Sequence, residues 1–240
     1  MNVPDLWPRE VANHAISMML ALNRRLFVLN RLLNQGEWVP IVPSPVGSLH
    51  GETIGVVGMG QIGKLLVKRL KAFEMNVIVS DPYLDKKVFS DYGVEQVGFE
   101  ELLSRSDYIS IHCPLTEETK HLLNDIAFDQ MKTTAYLINT ARGPIVETDA
   151  LVRAMQEKKI MGAGLDVLEK EPNDGKIETD NVLLSFENVI ISPHAAYYSD
   201  KAIGDLPVRC GQEVVRVLSG YKPLNLVNPE VLNKLPLKEE

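Results

Sequence analysis

The sequence predicts an α/β fold in which a doubly wound parallel sheet carries helices on both faces, with a long helix near each end of the chain. Short apolar and β-branched runs alternate with segments that have the three- and four-residue apolar spacing of helices, a repetition typical of parallel sheets. Runs such as Thr53–Val57 and Ala135–Asn139 are almost entirely apolar, as expected for strands that are buried on both faces.

The predicted elements follow this alternation along the chain. The strands are expected at Thr53–Val57, Asn76–Ser80, Tyr108–His112, Ala135–Asn139, Gly164–Val167 and Val189–Ser192. The helices between them are expected at Ile62–Phe73, Phe99–Ser104, Ile126–Met131 and Thr148–Lys158. A last helix, from about Ser199 to Leu218, is predicted before a charged tail.

A long N-terminal helix is predicted from Pro8 to Asn34, because apolar residues recur through it at helical steps and proline suits a first turn. Its apolar stripe is wider than one helix face, which favours burial against more than one surface, including another subunit. Packing on the protein's own sheet is the alternative. Gly36 ends the helix, and the proline-rich run Pro40–Pro45 predicts an extended connector.

The composition is that of a globular chain, since 45% of the 240 residues are hydrophobic and 24% are charged. The net charge of −7 argues against nucleic-acid binding, because phosphate binding needs a basic surface. No run has the ~18 apolar residues of a membrane-spanning helix. Asp5 and Glu10 stand where a signal peptide would be basic or apolar, and two cysteines make no disulfide framework. We therefore expect a cytoplasmic protein without nucleic-acid or membrane partners.

A glycine motif follows the first predicted strand of the sheet. Gly58, Gly60 and Gly63 form the G-x-G-x-x-G pattern, which combines a tight turn, a close backbone approach to a pyrophosphate and close helix–strand packing. Asp81 ends the next strand, 18 residues after Gly63. An acidic residue there accepts ribose hydroxyls and repels a 2′-phosphate, so the pattern predicts NAD rather than NADP.

Chemistry-bearing side chains follow three later strands. Arg142 comes after one strand end and offers a planar fork of donors that matches a carboxylate. Asp166 lies near a second strand end, and His194 directly follows a third. A histidine is suited to proton transfer near neutral pH, and a carboxylate such as Glu171 would orient its ring. Since 23 residues separate Glu171 from His194, spacing alone leaves open whether they meet. From these residues alone, a surface arginine and a structural histidine remain the alternatives.

Seven segments of the chain occur together in one known family. They are EVANHAISMMLALNRR, GVVGMGQIG, SDPY, HCPLTEETKHLL, INTARGPIV, GAGLDVLEKEP and SPHAAYYSDKA, in that order, within a stretch from about Val3 to Asn228. In this combination the sequence resembles the NAD-dependent D-isomer-specific 2-hydroxyacid dehydrogenases, including their C-terminal-binding-protein branch. The resemblance implies a Rossmann NAD-binding domain over residues 1–200, with a dimerisation-type helix in residues 1–36. Residues 201–240 would then belong to a substrate domain, and the protein would be a homodimer.

The resemblance also implies roles for individual residues. Arg142 would anchor and polarise the 2-keto acid, His194 would be the acid/base, and Glu171 would be its partner. The glycine loop would hold the pyrophosphate, Cys113–Thr119 would line the adenine and nicotinamide side, and Asp166 would bind the nicotinamide carboxamide. The residues expected at the cofactor are Gly58, Met59, Gly60, Gln61, Ile62, Gly63, Asp81, Cys113, Pro114, Thr119, Thr140, Ala141, Arg142, Asp166, His194 and Ala196.

The chain departs from the family pattern in two places. Family members carry a domain-sized segment before the helix that starts near Pro8, and this segment forms most of the substrate domain. We therefore expect an NAD-dependent oxidoreductase acting on a small 2-hydroxy or 2-keto acid, with impaired turnover in this short chain. The alternative is an NAD-binding, dimer-forming sensor or scaffold without turnover. Tyr197 stands where the C-terminal-binding-protein branch has tryptophan, which leaves the substrate open.

The five histidines have no paired metal-ligand spacing, so no metal is predicted.

Overall fold

The computed structural model describes residues 3–39, 46–235 and 237–239. Over these residues, the strands form one sheet in the order β3-β2-β1-β4-β5-β6-β7, and every neighbouring pair is parallel. The strands are β1 (Thr53–Val57), β2 (Asn76–Ser80), β3 (Glu95–Gln96), β4 (Tyr108–Ile111), β5 (Tyr136–Asn139), β6 (Gly162–Leu165) and β7 (Val189–Ile191). The order reverses direction beside β1, so the connecting helices cover both faces, and the predicted doubly wound fold is confirmed.

Eight α-helices lie within the described residues. They are α1 (Pro8–Asn23), α2 (Leu26–Asn34), α3 (Gln61–Leu70), α4 (Lys86–Tyr92), α5 (Phe99–Arg105), α6 (Asp125–Gln130), α7 (Thr148–Gln156) and α8 (Asp200–Leu218). Short 3₁₀ helices occur at Lys71–Phe73, Gly143–Ile145, Val182–Ser185 and Pro229–Asn233. None of the helices in the described part of the chain is both long and apolar enough to cross a membrane.

The predicted strands all form, with bounds that differ by at most two residues. The largest shift is in β6, which begins at Gly162 because that residue pairs with Tyr136 of β5. Two elements were missed. β3 is a two-residue exposed edge strand, too short to show a pattern, and α4 is a single short helix. The residues that begin and end α4 are local signals. The Asp85 carboxylate accepts a hydrogen bond from the Lys87 N–H, and Gly93 ends the helix with a φ of +57°.

The prediction of one N-terminal helix from Pro8 to Asn34 is wrong. Arg25 has a φ of 54° and ψ of 32°, so the chain leaves the helical path there and starts α2 in a new direction. The apolar spacing runs through the break because both helices are amphipathic. α1 packs on the protein's own sheet, whereas no described side chain of α2 is buried. The connector predicted at Pro40–Pro45 lies outside the described residues.

The core of the sheet consists of two buried clusters, one on each face. α5, α6 and α7 pack on one face through side chains such as Phe128, and α1 and α3 pack on the other through Met19 and Leu66. Neighbouring strand residues alternate between the faces, since Leu137 joins the first cluster and Ile138 the second. The strands are therefore apolar on both sides, which is why they appear in the sequence as continuous apolar runs.

Residue contacts divide the chain into two compact units. The larger is Val11–Ala196, and the smaller joins the residues up to Glu10 with those from Tyr197 onward. Within the smaller unit, which includes α8, the rings of Trp7 and Tyr197 pack edge to face with centroids 5.3 Å apart.

We expect Gly143→Ala to destabilise the larger unit, because the chain after β6 crosses directly over this residue. Gly143 is buried, and an added Cβ would lie 1.8 Å from the Leu168 carbonyl oxygen and 2.6 Å from the Glu169 nitrogen. Both are backbone atoms with little freedom to move, so the expected loss is about 2–4 kcal/mol in the free energy of unfolding. Urea denaturation would measure it. Gly98→Ala is the matched control, since no atom lies within 4 Å of its added Cβ, and equal stabilities of the two variants would contradict the prediction.

Candidate active site

A cavity of about 850 Å³ opens at the carboxyl ends of β1, β2 and β4. This is the position at which the strand order reverses direction, and open α/β sheets bind their ligands in such a crevice. Its lining includes Gly58, Asp81, Cys113, Pro114 and Thr119, all of which sequence analysis assigned to the cofactor.

The glycine loop between β1 and α3 has the shape that a pyrophosphate requires. Gly58 has a φ of +86°, and an added Cβ would lie 2.6 Å from the Cys113 nitrogen. A Cβ on Gly63 would lie 2.4 Å from the Gly58 carbonyl oxygen, whereas Gly60 has open space beside it. No side chain of the described residues caps the start of α3. Its first N–H groups therefore suit an anionic ligand, and the loop fits a dinucleotide.

The other three residues of the loop lie around these glycines. The Met59 side chain is fully buried in the core, and Ile62 packs against the same core cluster. Gln61 is exposed as the first residue of α3. Met59 as a whole is 0% exposed and its N–H donates a hydrogen bond to Asp81, so its place among the cofactor residues stays a prediction.

Asp81 is held at the cavity by two backbone donors. One carboxylate oxygen accepts a hydrogen bond of 2.9 Å from the Met59 N–H, and the other accepts one of 3.0 Å from the Tyr83 N–H. The carboxylate thus links the end of β2 to the glycine loop after β1. It lines the cavity at the position where sequence analysis expects the adenosine ribose.

The loop after β4 forms another wall of the cavity. Burial raises the pKa of the Cys113 thiol to about 11 and lowers the pKa of His112 to about 4, so both side chains are neutral near pH 7. The Thr119 hydroxyl donates a 2.6 Å hydrogen bond to the Pro114 carbonyl oxygen, which closes the loop on itself. The neutral Cys113 thiol is unsuited to nucleophilic chemistry, and the same wall also carries an exposed acidic residue, Glu118.

The residues after β5 form a separate part of the site. Thr140 is buried, and Arg142 is exposed and donates a 2.6 Å hydrogen bond from Nη1 to the Ala141 carbonyl oxygen. Asn139 shapes this turn, because its side-chain oxygen accepts from the Ala141 N–H at 3.0 Å and its amide donates to the Arg142 carbonyl oxygen at 3.0 Å. Asn139 was not among the predicted site residues, because its only signal in the sequence is a polar residue at the end of an apolar strand; in the structure it is fully buried.

The structure brings His194 and Glu171 together across the 23 residues that separate them. The His194 Nδ1 atom lies 2.9 Å from Oε2 of Glu171, and both side chains are nearly half exposed. His194 has a φ of +52°, in the left-handed region that residues other than glycine seldom adopt. Such backbone conformations persist only where the surroundings hold them in place.

Asp166 supplies that restraint, since the next three backbone N–H groups after Pro193 all donate to it. The His194 N–H reaches the Asp166 carbonyl oxygen at 2.8 Å. The Ala195 and Ala196 N–H groups reach the two carboxylate oxygens at 2.8 and 2.9 Å. Asp166 is itself only 2% exposed. We call this arrangement the Asp166 clasp; the expected contact of Asp166 with a carboxamide stays a prediction.

A second histidine–glutamate pair was missed by sequence analysis. The His121 Nε2 atom lies 2.6 Å from Oε1 of Glu169, and the other oxygen of Glu169 accepts a 2.9 Å hydrogen bond from the Thr148 N–H. Burial alone would raise the pKa of Glu169, but these hydrogen bonds outweigh it and hold the pKa below its usual range. Glu169 thereby ties the loop that carries Glu171 to the start of α7. Because 48 residues separate the pair, spacing gave no signal.

Among the residues that the structure describes, no group of three or more histidine, cysteine, aspartate or glutamate side chains is arranged to hold a metal ion.

Comparison with known proteins places this fold in a defined class, the NAD-dependent dehydrogenases. Residues 16–196 match the family described as D-isomer specific 2-hydroxyacid dehydrogenase, NAD binding domain. The chain belongs to this family. The resemblance found in the sequence, the NAD cofactor and the Rossmann-like fold are therefore confirmed.

Individual relatives agree with this assignment. The chain is 37% identical over 239 residues to a glyoxylate reductase of Korarchaeum cryptofilum, an alignment covering 98% of this chain and 70% of the relative. The structure of D-2-hydroxyisocaproate dehydrogenase has a TM-score of 0.87 at 32% identity, covering 95% of this chain and 71% of that one. D-lactate dehydrogenase from Aquifex aeolicus, complexed with NAD and lactic acid, has a TM-score of 0.83 at 35% identity, with coverages of 91% and 68%.

We expect Asp81→Ala to reduce the preference for NADH over NADPH. If the carboxylate accepts the ribose hydroxyls, a 2′-phosphate meets a like charge, and the wild-type preference should be about 10²-fold because such juxtapositions cost several kcal/mol. Titration calorimetry with both cofactors would measure it. Asp91→Ala removes the same charge from an exposed position of α4 and should leave the preference unchanged. Equal wild-type affinities for the two cofactors would contradict the role of Asp81.

Proposed function

We propose that this chain is an NAD-dependent 2-hydroxyacid dehydrogenase that interconverts a small 2-hydroxy acid and its 2-keto acid. The observation that carries the proposal is the contact between His194 and Glu171. It joins an acid/base candidate to a carboxylate across the loops after β6 and β7. Arg142 follows β5, the strand next to β6, so all three side chains lie at the carboxyl edge of the sheet.

The proposed roles follow from the chemistry of these side chains. The nicotinamide cofactor, held by the glycine loop and Asp81, supplies or accepts the hydride when bound. Because Glu171 faces Nδ1 of His194, the carboxylate accepts the hydrogen on Nδ1 and orients the ring so that Nε2 is left for the substrate. His194 then exchanges its other proton, on Nε2, with the substrate oxygen. Arg142 presents a planar guanidinium that matches the carboxylate of a 2-keto acid and polarises the adjacent carbonyl.

We propose the substrate class from the chemical features that the substrates named for the relatives have in common. Their names refer to glyoxylate, lactate and hydroxyisocaproate, which share a carboxylate next to the reacting carbon and differ in the group beyond it. The roles of Arg142 and His194 require only the shared part. We propose a cytoplasmic location as well, in keeping with two free cysteines, Cys113 and Cys210, which suit a reducing compartment.

We propose residues 1–200 as the NAD-binding domain and residues 201–240 as part of a second domain. The family match ends at residue 196, and contacts divide the chain between Ala196 and Tyr197, which both support a boundary close to this position. The same contacts group the residues up to Glu10 with the second unit, and the family match begins at residue 16, so neither supports including the first ten residues in the NAD-binding domain.

The catalytic prediction concerns two variants assayed by steady-state NADH oxidation with glyoxylate, pyruvate and hydroxypyruvate. His194→Ala should lower kcat by ~10²–10⁴, the usual contribution of a positioned acid/base. Arg142→Ala should lower kcat/KM for the keto acid while leaving NADH affinity within about twofold, because the guanidinium is proposed to bind the keto acid and the glycine loop and Asp81 to hold most of the cofactor. His50→Ala is the control, since His50 is an exposed histidine that also contacts a glutamate, Glu74. Wild-type turnover by both active-site variants would contradict the proposed roles.

A wild-type chain that binds NADH but turns over none of these acids would instead support the alternative function, an NAD-binding sensor or scaffold without turnover.

We also propose that the protein is a homodimer that pairs through α2. Leu26, Phe27 and Leu33 of this helix are 54%, 58% and 50% exposed, an apolar surface on a helix without a buried side chain. Clustered apolar side chains of this kind mark interaction surfaces more often than isolated ones do. A second copy of the same chain is the proposed occupant, because most soluble oligomers are homo-oligomers in which a two-fold axis pairs the same surface of both subunits.

Sedimentation velocity at low micromolar concentration tests the dimer. We expect the wild type to sediment at twice the chain mass of 26.8 kDa, and Phe27→Glu to sediment as a monomer because the charge is costly to bury. Ile126→Glu, which adds the same charge at a 70% exposed position of α6, should remain dimeric. A monomeric wild type would exclude pairing through α2.

A further inference from the structure

A row of side chains leads from α1 to the Asp166 clasp, and the proposed reaction does not use it directly. The Ser192 hydroxyl, at the end of β7, donates a 2.5 Å hydrogen bond to Oδ1 of Asp166. The Nε2 atom of His14, on α1, lies 2.9 Å from the same hydroxyl oxygen and 3.6 Å from Oδ1 of Asp166. The His14 side chain is 29% exposed and that of Asp166 only 1% exposed, so the row runs inward from the surface.

Counting hydrogens fixes the direction of every bond in this row. A serine hydroxyl has one hydrogen, and here Asp166 accepts it. Towards His14, the Ser192 oxygen must therefore accept, so Nε2 of His14 carries a hydrogen whether the ring is neutral or protonated. The bonds run in one direction from His14 to Ser192 to Asp166, and bonds aligned in this way strengthen one another.

We propose that His14 is a positioning residue for the dehydrogenase reaction, acting through Ser192 and Asp166 to hold the backbone that carries His194. The inference rests on the proposed role of His194 as the acid/base. His14 orders the Ser192 hydroxyl, and Ser192 in turn fixes the rotation of the Asp166 carboxylate. The carboxylate then keeps both of its oxygens aligned with the Ala195 and Ala196 N–H groups.

The backbone at this point needs such support. His194 is in the left-handed region with a φ of +52°, a strained conformation for a residue other than glycine. Without Ser192, the Asp166 carboxylate would keep its hydrogen bonds from the Ala195 and Ala196 N–H groups, but both come from the loop that it has to hold. The carboxylate and the loop could then move together. The clasp on residues 194–196 would loosen, and His194 would point less often along its productive direction.

The packing of α1 does not depend on His14. Ala12, Ala15 and Met19 on the same helix are at most 2% exposed and hold it against the sheet. The role of His14 is therefore separable from the stability of its helix.

Amide hydrogen exchange, measured in the protein without cofactor or substrate, tests the proposal at the Ala195 and Ala196 N–H groups. His14→Leu and Ser192→Ala should each speed exchange there by about tenfold, the effect expected from losing one hydrogen bond in the clasp. The double variant should exchange no faster than Ser192→Ala alone, because both changes break the same row.

Two amide substitutions separate positioning from packing. His14→Gln places an N–H donor near the former Nε2 and should restore slow exchange. His14→Asn carries the same amide on a shorter side chain that does not reach Ser192, so it should behave like His14→Leu. Ser17→Ala, an exposed change on α1, is the control and should have no effect.

Unchanged exchange at residues 195 and 196 in Ser192→Ala, or equal behaviour of the Gln and Asn variants, would overturn the proposal. The measurement needs no turnover, so it stands apart from the fate of the proposed function. If the chain is active, His14→Asn should lower kcat more than it raises KM, and His14→Gln should restore kcat. Loosened amides with unchanged kcat in an active enzyme would refute the positioning role and leave the contact merely structural.

Discussion

The proposed catalytic half of this site depends on one buried aspartate, which accepts hydrogen bonds from three successive backbone N–H groups. Asp166 follows β6, and residues 194–196 follow β7, the neighbouring strand. A buried carboxylate is costly unless it is fully hydrogen-bonded, and here the backbone of the histidine loop supplies the donors. The same bonds that make the aspartate tolerable in the core also hold His194 in a conformation that it would not adopt alone.

The parallel sheet explains why site residues that are far apart in the sequence lie along one edge of the structure. Every strand points the same way, so the ends of all of them lie along one edge, and the loops there face a common crevice. The cofactor half uses the loops after β1, β2 and β4, and the proposed catalytic half uses those after β5, β6 and β7. Glycines appear where two of these loops meet at backbone distance, as Gly58 does with Cys113 and Gly143 with Leu168.

Two histidine–glutamate contacts share a common design at the proposed catalytic end of the sheet. His194 contacts Glu171, His121 contacts Glu169, and both histidines have a φ of +52°. The two glutamates are two residues apart on the same loop, and Glu169 anchors it to the Thr148 N–H at the start of α7. Glu171 therefore stands on a loop that is held at two points, which favours a fixed orientation of the histidine ring.

The fold class, the positions of the buried strands and the cofactor loop were all predictable from the amino-acid sequence. Each of these depends on residues close together in the chain. Apolar runs identify strands buried on both faces, and the glycine spacing reflects one turn between β1 and α3. The break between α1 and α2 at Arg25 was not predictable, because a left-handed residue other than glycine leaves no mark in the apolar spacing. It also missed β3, an exposed edge strand of two residues.

The three-dimensional structure alone shows which of the site residues are in contact. The contacts of Glu171 with His194, of Glu169 with His121, and of His14 with Ser192 join positions 23, 48 and 178 residues apart. No spacing along the chain encodes such contacts, because they arise from the order of the strands and from where α1 packs on the sheet. His194 was predictable from the sequence as a candidate acid/base. Its orientation was not, because it depends on hydrogen bonds from elements that are distant in the chain. That dependence is the physical reason why the identity of a site residue was predictable while its geometry was not.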